Sequence, residues 1–333
     1  MPTDNLPDAN KKEVVDDREL QDLASRVRSA FVIPPDPVQS FKPLIETITR
    51  VGEPFKEIGR ALQANLEGLL SAVSIPYTLA NRSQVNAHWQ RIYAAARIRS
   101  LKLEAEPEES KDALELRRGR EALARANPAM HEFLSSTTGR DTLVLDTLIF
   151  LERLYSDQSL SGAANELILQ GLVLCWGALE VLARDSFATH LNVNPGRTLA
   201  LLDDPAAKRR FELSKVSLET LAAHNFDLSA RMGTLLAEQQ DLSDAYSIKA
   251  VFQALFPTND ELRDALNDPD LRLVSLKRNL IVHRRGIIDE KYATSTKCCQ
   301  QVGQRLRVTP FELEDHIGTT IRVATDILHA VGE

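Results

Sequence analysis

The sequence predicts an all-α protein, and three observations carry that prediction. Leu, Ala, Glu and Arg dominate, while only 14 Gly and 15 Pro are spread over 333 residues, a composition that favours helix over strand. Apolar residues recur at steps of three and four through most segments. Helix start and stop signals stand where those segments begin and end. Only the short stretches around 287–289 and 305–308 read as possible strand.

Residues 1–20 are polar and charged and are expected to be mostly disordered, with a first helix beginning near Asp17. The run Ile33-Pro34-Pro35-Asp36-Pro37 breaks that helix and makes a stiff extended connector. Residues 44–72 form an amphipathic pattern, with Phe55, Ile58, Leu62, Leu66 and Leu69 on one face. That face suits packing on neighbouring helices better than a partner helix. Pro76 and residues 81–83 end this unit. A second helix is expected over about 85–103, carrying Trp89, Ile92 and Tyr93. Residues 104–111 are a turn, and a charged helix of about 111–126 is expected to stop at Asn127-Pro128.

The small, polar stretch 135–141 (SSTTGRD) is the best boundary. The reading is therefore a partly disordered segment 1–38, a helical region 39–134 of unknown role, and a domain 135–333. In that domain 143–155 is a compact apolar helix. Residues 165–190 are apolar nearly all round at first, which marks a central helix; 192–196 breaks it. Short helices are expected over 199–203, 205–223 and 243–256, and 256–260 is a turn that caps the next helix. A helix over 271–285 is stopped by Gly286. The last helix runs from Pro310 to about Val331, with Thr309 as N-cap, Pro310 at the first position and Glu312 at the third. No internal repeat is evident.

Net charge is −7, so a global basic footprint for nucleic acid is absent and any RNA site must be a local patch. Cys175 stands in an apolar run and reads as core. The vicinal pair Cys298-Cys299 lacks zinc spacing and is a poor structural disulfide, which fits a reducing compartment. The first residues have no apolar run of secretion-signal type. No uncharged apolar stretch of membrane-spanning length is evident. The expected location is cytoplasmic, with no membrane partner.

For chemistry, the loose pattern of Arg, four to six residues, then His is weak by itself. With 28 Arg and 7 His in the chain, random placement gives about 1.8 matches, and five occur: Arg82/His88, Arg125/His131, Arg184/His190, Arg278/His283 and Arg322/His329. Context separates them. Only Arg278 and Arg184 are followed directly by a polar Asn or Asp, and Arg278-Asn279 lies in a helix whose apolar residues occupy much of its circumference. A buried helix carrying Arg, Asn and His must satisfy them in a cleft or an interface. The Arg184, Asp185, His190 group reads as an ordinary helix end, and Glu180 as either an intrahelical partner of Arg184 or a partner of the 278–283 group. His88, His131, His224, His316 and His329 read as surface or satisfied core residues.

The run Arg278-Asn279-Leu280-Ile281-Val282-His283 resembles the motif of HEPN proteins: Arg, a polar residue, three residues, then His, near the end of a helix followed by one more long helix. The tail Arg284-Arg285-Gly286-Ile287-Ile288-Asp289-Glu290-Lys291-Tyr292 is also similar, and Trp176-Gly177-Ala178-Leu179-Glu180 resembles an early helix of that fold. The resemblance covers roughly 141–331 and implies a HEPN-like helical bundle. Many HEPN domains are metal-independent endoribonucleases of toxin–antitoxin and antiviral defence systems, and others are silent interaction modules. The resemblance thus implies RNA as substrate, a homodimer whose motifs share one cleft, an antitoxin or regulatory partner, and neither cofactor nor metal.

On that reading His283 moves a proton, Arg278 binds phosphate oxygens and offsets charge, and Asn279 orients one or the other. Lys277, Arg284 and Arg285 flank the motif as an RNA-binding patch, whose plainer explanation is cations at a helix C-terminus. Arg278 and His283 lie about 140° apart round the helix, so they converge only if the long Arg side chain bends round or a partner subunit completes the site, which is one reason to expect a dimer. A silent module for protein, nucleotide or RNA binding is the alternative, and a purely structural adaptor a third.

Overall fold

The computed structural model describes residues 17–211, 217–239 and 242–332; the expected disorder at the N-terminus falls mostly outside them. The described chain is all-α. In order, it forms α1 (Asp17–Arg28), α2 (Pro37–Ser40), α3 (Lys42–Arg50), α4 (Phe55–Val73), α5 (Ile75–Ser100), α6 (Lys111–Ser135), α7 (Thr137–Tyr155) and α8 (Gln158–Val193). Short helices α9 (Thr198–Asp203), α10 (Pro205–Phe211), α11 (Leu218–Ala223) and α12 (Met232–Gln239) follow. Then come α13 (Ala245–Leu255), α14 (Asp260–Leu266), α15 (Pro269–Arg284), α16 (Glu290–Thr296) and α17 (Pro310–Gly332).

Two compact units result. One takes in the described residues up to Phe31 together with Pro76–Ser161; the other is Val32–Ile75 with the chain from Gly162 onward. The stretch 135–141 expected as a boundary is instead the break between α6 and α7 within the first unit. Ser136 makes that break by capping α7, its side chain accepting from the Gly139 N–H at 3.0 Å. Residues 32–75 belong with the C-terminal part because α3 and α4 pack on α17. Gly59 of α4 allows close approach: a Cβ there would meet Ile48 at 2.6 Å and Leu328 of α17 at 3.2 Å.

Several helix boundaries differ from expectation: α7 and α8 start at Thr137 and Gln158 rather than at 143 and 165, and three further differences have a clear cause. The 44–72 pattern is two helices, parted at Gly52-Glu53-Pro54 and packed against each other. Helix α5 starts at Ile75 and runs through 81–83, since Pro76 occupies the first turn, where its missing N–H costs nothing. Helix α6 runs through Pro128 to Ser135. An interior proline costs about 3 kcal/mol, and burial of Ala122, Ala126 and Met130 on both sides of it opposes the break.

The second unit holds one large core built on α8 and α17. Residues Leu160–Val193 are long and apolar enough to cross a membrane by length and composition, but 56% of the most apolar window is buried inside the protein, as in a core helix. Trp176 is fully buried, and its indole N–H donates to the Ser243 carbonyl at 2.9 Å. Cys175 is core as expected, its Sγ 3.2 Å from the Thr320 hydroxyl, and burial pushes its thiol up to about 12. The Thr309 cap forms in both directions: the Glu312 carboxylate accepts from the Thr309 N–H at 2.8 Å, and the Glu312 N–H donates to Thr309 Oγ1 at 3.2 Å. Of the two possible strands only one antiparallel bridge forms among the described residues, Ile287 with Arg305.

Trp176→Ala is expected to lower unfolding free energy by about 3–5 kcal/mol in urea titrations followed by circular dichroism. Leu199→Ala, at an exposed position, should change it by less than about 0.5 kcal/mol. Equal effects of the two would contradict the placement of the core.

Candidate functional site

Helix α15 carries the site, and its start is well specified. Asp268 accepts from the Asp270 N–H at 2.8 Å and Pro269 fills the first turn. Leu271, Val274, Leu280 and Ile281 are buried, so the helix lies inside the second unit, as its all-round apolar pattern predicts.

Three consecutive residues then point to three different neighbours, because each step along a helix turns the side chain by about 100°. Lys277 points at α17. It is only 4% exposed; its ammonium donates to Glu312 Oε1 at 3.2 Å and to His316 Nε2 at 2.9 Å. Arg278 points at α8, where Nη2 donates to Glu180 Oε2 at 3.2 Å, while Nη1 donates to Asn279 Oδ1 at 3.0 Å. Asn279 lines a cavity of about 290 Å³ beside α13.

His283 follows one turn after Asn279 and is exposed. The structure does not join it to Arg278: the His283 imidazole makes no hydrogen bond or ion pair among the described residues. The helix ends just beyond it. Arg285 and Gly286 both take positive φ, and the Gly286 N–H donates to the Leu280 carbonyl at 3.0 Å. The chain after the motif is then pinned: the Leu306 N–H donates to Gly286 O at 2.7 Å and the Ile288 N–H to Gln304 O at 2.9 Å. These bonds fix where α15 releases Arg284 and Arg285.

The expected flanking patch is corrected in one member. Lys277 is not on the surface with Arg284 and Arg285; it is buried, and paired too closely to reach a ligand in solvent. Arg284 and Arg285 are exposed, with Arg284 3.7 Å from Asp289. Glu180 is a partner of Arg278, the second of its two sequence readings, while Arg184 pairs with Asp185 at 3.1 Å. His190 is buried beside Phe256, ring centroids 5.0 Å apart, and burial followed by the charge of Arg197 holds it below its usual range. That environment makes it a core residue.

Sequence reasoning missed the interior group Lys277, Glu312 and His316. The available signal was the four-residue spacing of Glu312 and His316, which puts both on one face of α17. Burial by itself would raise the Glu312 carboxyl; the Thr309 N–H and the Lys277 charge outweigh it and hold the group below its ordinary value. His316, 3% exposed, is lowered to about 4 by burial and then by Lys277. Since Nε2 accepts from Lys277, Nδ1 carries the proton, and it is buried with no partner. Two other histidines are satisfied core, His88 with Asp146 at 2.8 Å and His224 with Glu238 at 3.3 Å, and His131 and His329 lie on the surface, within the expected surface or satisfied core.

Compared with protein-family models, curated proteins and solved structures, the chain matches none of them.

The His316 environment sets a pH dependence. The unfolded chain takes up a proton near 6.5, whereas the folded protein resists until about 4. Between those values the unfolded state binds more protons, so stability falls as pH drops from 6.5 toward 4, by about 3 kcal/mol at most. His316→Gln keeps an acceptor for Lys277 and removes the titration. Urea unfolding at pH 7.0 and 4.5 should show a smaller loss in His316→Gln than in wild type; parallel losses would contradict this account of His316.

Proposed function

We propose that the second unit is a HEPN-type, metal-independent endoribonuclease, acting in the cytoplasm as a toxin or antiviral defence effector. The observation that carries the reading is the arrangement on α15. A guanidinium is held in a fixed direction by Glu180 and Asn279, and an exposed, unpartnered imidazole follows at the helix end.

The chemistry suits these groups. The RNA 2′-oxygen attacks the adjacent phosphorus, the P–O2′ bond forms and the P–O5′ bond breaks. The products are a 2′,3′-cyclic phosphate and a 5′-hydroxyl. His283 takes the 2′-OH proton, or returns one to the leaving 5′-oxygen, because imidazole exchanges protons near neutral pH. Arg278 offsets charge on the phosphate oxygens. Two of its N–H groups are engaged by Glu180 and Asn279, and a guanidinium has five, so three remain for phosphate. Arg284 and Arg285 supply backbone contacts on either side. Because Arg278 and His283 diverge by about 140° on one helix, a second copy facing the first completes the site, Arg278 of one acting with His283 of the other. An antitoxin or other regulator would bind over the same cleft.

A second reading is a silent module of the same type that binds RNA, a nucleotide or a protein. It is favoured by the absence of contact between Arg278 and His283 within one chain. Full-length protein is the proper sample, since a fragment starting at 135 would lack α3 and α4, which pack on α17. It should cleave single-stranded RNA in EDTA and leave cyclic phosphate ends. His283→Ala and Arg278→Ala should each lower the rate at least a hundredfold, equivalent to about 2.7 kcal/mol, while His190→Ala retains activity once its stability is matched. Binding without cutting would favour the silent module, and essential His190 with dispensable His283 would refute the site.

A further inference from the structure

We infer that the cavity beside Asn279 is a nucleotide subsite of the RNA site, which receives the base next to the cleaved bond. This rests on the ribonuclease reading for the RNA and on the cavity itself for the nucleotide. Its volume of about 290 Å³ lies at the lower end of small-ligand pockets, which suits one nucleotide-sized group rather than a folded partner. Leu266, Pro269 and Leu276 give it an apolar wall. Tyr246 of α13 lines it with a ring that is 63% exposed, a position in which a ring serves as a stacking platform.

Charge in the cavity is unevenly committed. The two carboxylates are engaged: Asp244 accepts from the Ser247 N–H at 2.9 Å and the Ser247 hydroxyl at 2.7 Å. Asp268 caps α15 and pairs with Arg322. The two cations, Lys249 on α13 and Arg272 on α15, form no ion pair among the described residues; Arg272 reaches only the Ser295 carbonyl, at 3.5 Å. An apolar wall, an exposed ring and two available cations match a base with its phosphate better than they match a bare anion or an aliphatic side chain.

Asn279 ties the cavity to the motif. Its Oδ1 accepts from Arg278 Nη1, so its amide N–H groups remain to donate to a base carbonyl in the cavity. A nucleotide held there lies one residue from the guanidinium assigned to the phosphate.

The test uses full-length protein and four fluorescent 2′-O-methyl oligonucleotides that differ in a single base, which bind but cannot be cut. Wild type should prefer one base about tenfold; Tyr246→Ala should weaken binding of that oligonucleotide about tenfold and level the preference, and Lys249→Glu should weaken all four about tenfold. Phe226→Ala, which removes another exposed ring, should change neither. Unmodified RNA is assayed in parallel. Base preference that Tyr246→Ala abolishes, in a protein that cuts no RNA, would keep the subsite and reject the ribonuclease. Cutting with affinity and preference unchanged in both cavity variants would reject the subsite and keep the ribonuclease. No binding of any oligonucleotide by wild type would overturn the inference.

Discussion

The buried ammonium of Lys277 is the constraint on which the candidate site depends. A charge taken out of water costs several kcal/mol unless it is paired and hydrogen-bonded. Only one rotation of α15 brings this charge to both Glu312 and His316 on α17. Once that rotation is set, helical geometry leaves no freedom for the next two residues. Arg278 must turn toward α8 and Asn279 toward the cavity beside α13. Lys277 therefore positions the motif without touching anything the motif would bind.

A similar economy governs the end of α15. The left-handed residues Arg285 and Gly286 stop the helix, and backbone bonds to 304 and 306 hold the departing chain. Arg284 and Arg285 leave the surface at a fixed place beside His283. Glu180 plays two parts: it compensates a half-buried guanidinium, and it holds that guanidinium in one direction. On the proposed reading, a phosphate at Arg278 would meet a cation already oriented but partly neutralised, and its binding would draw on the remaining N–H groups and the two terminal arginines.

Much of this was legible in the chain. The all-α class, the cap that the 256–260 turn gives α14, the Thr309 cap and the burial of 271–285 follow from local patterns that tertiary packing leaves intact. The residues Arg278, Asn279 and His283 were identifiable because polar groups on an apolar helix need an explanation. Lys277 was misplaced for a definite reason. Lysine is ordinarily exposed, and nothing within 271–285 reveals that its counter-charge and its second acceptor stand 35 and 39 residues later on another helix. The association of 32–75 with the C-terminal chain was hidden likewise, since periodicity shows that a face is buried but not against what. Pro128 shows the limit of breaker rules: a local cost yields to burial on both sides.

A double-mutant cycle between Lys277 and Glu312 tests the positioning claim most directly. Unfolding free energies are measured for wild type, Glu312→Gln, Lys277→Met and the double variant. If the buried charge governs α15, Glu312→Gln costs about 2 kcal/mol or more by stranding Lys277, Lys277→Met is close to neutral, and Glu312→Gln in the Lys277→Met background costs under about 0.5 kcal/mol. An equal cost of Glu312→Gln in both backgrounds would show that the two groups do not interact, and would contradict the claim that Lys277 sets the direction of Arg278 and Asn279.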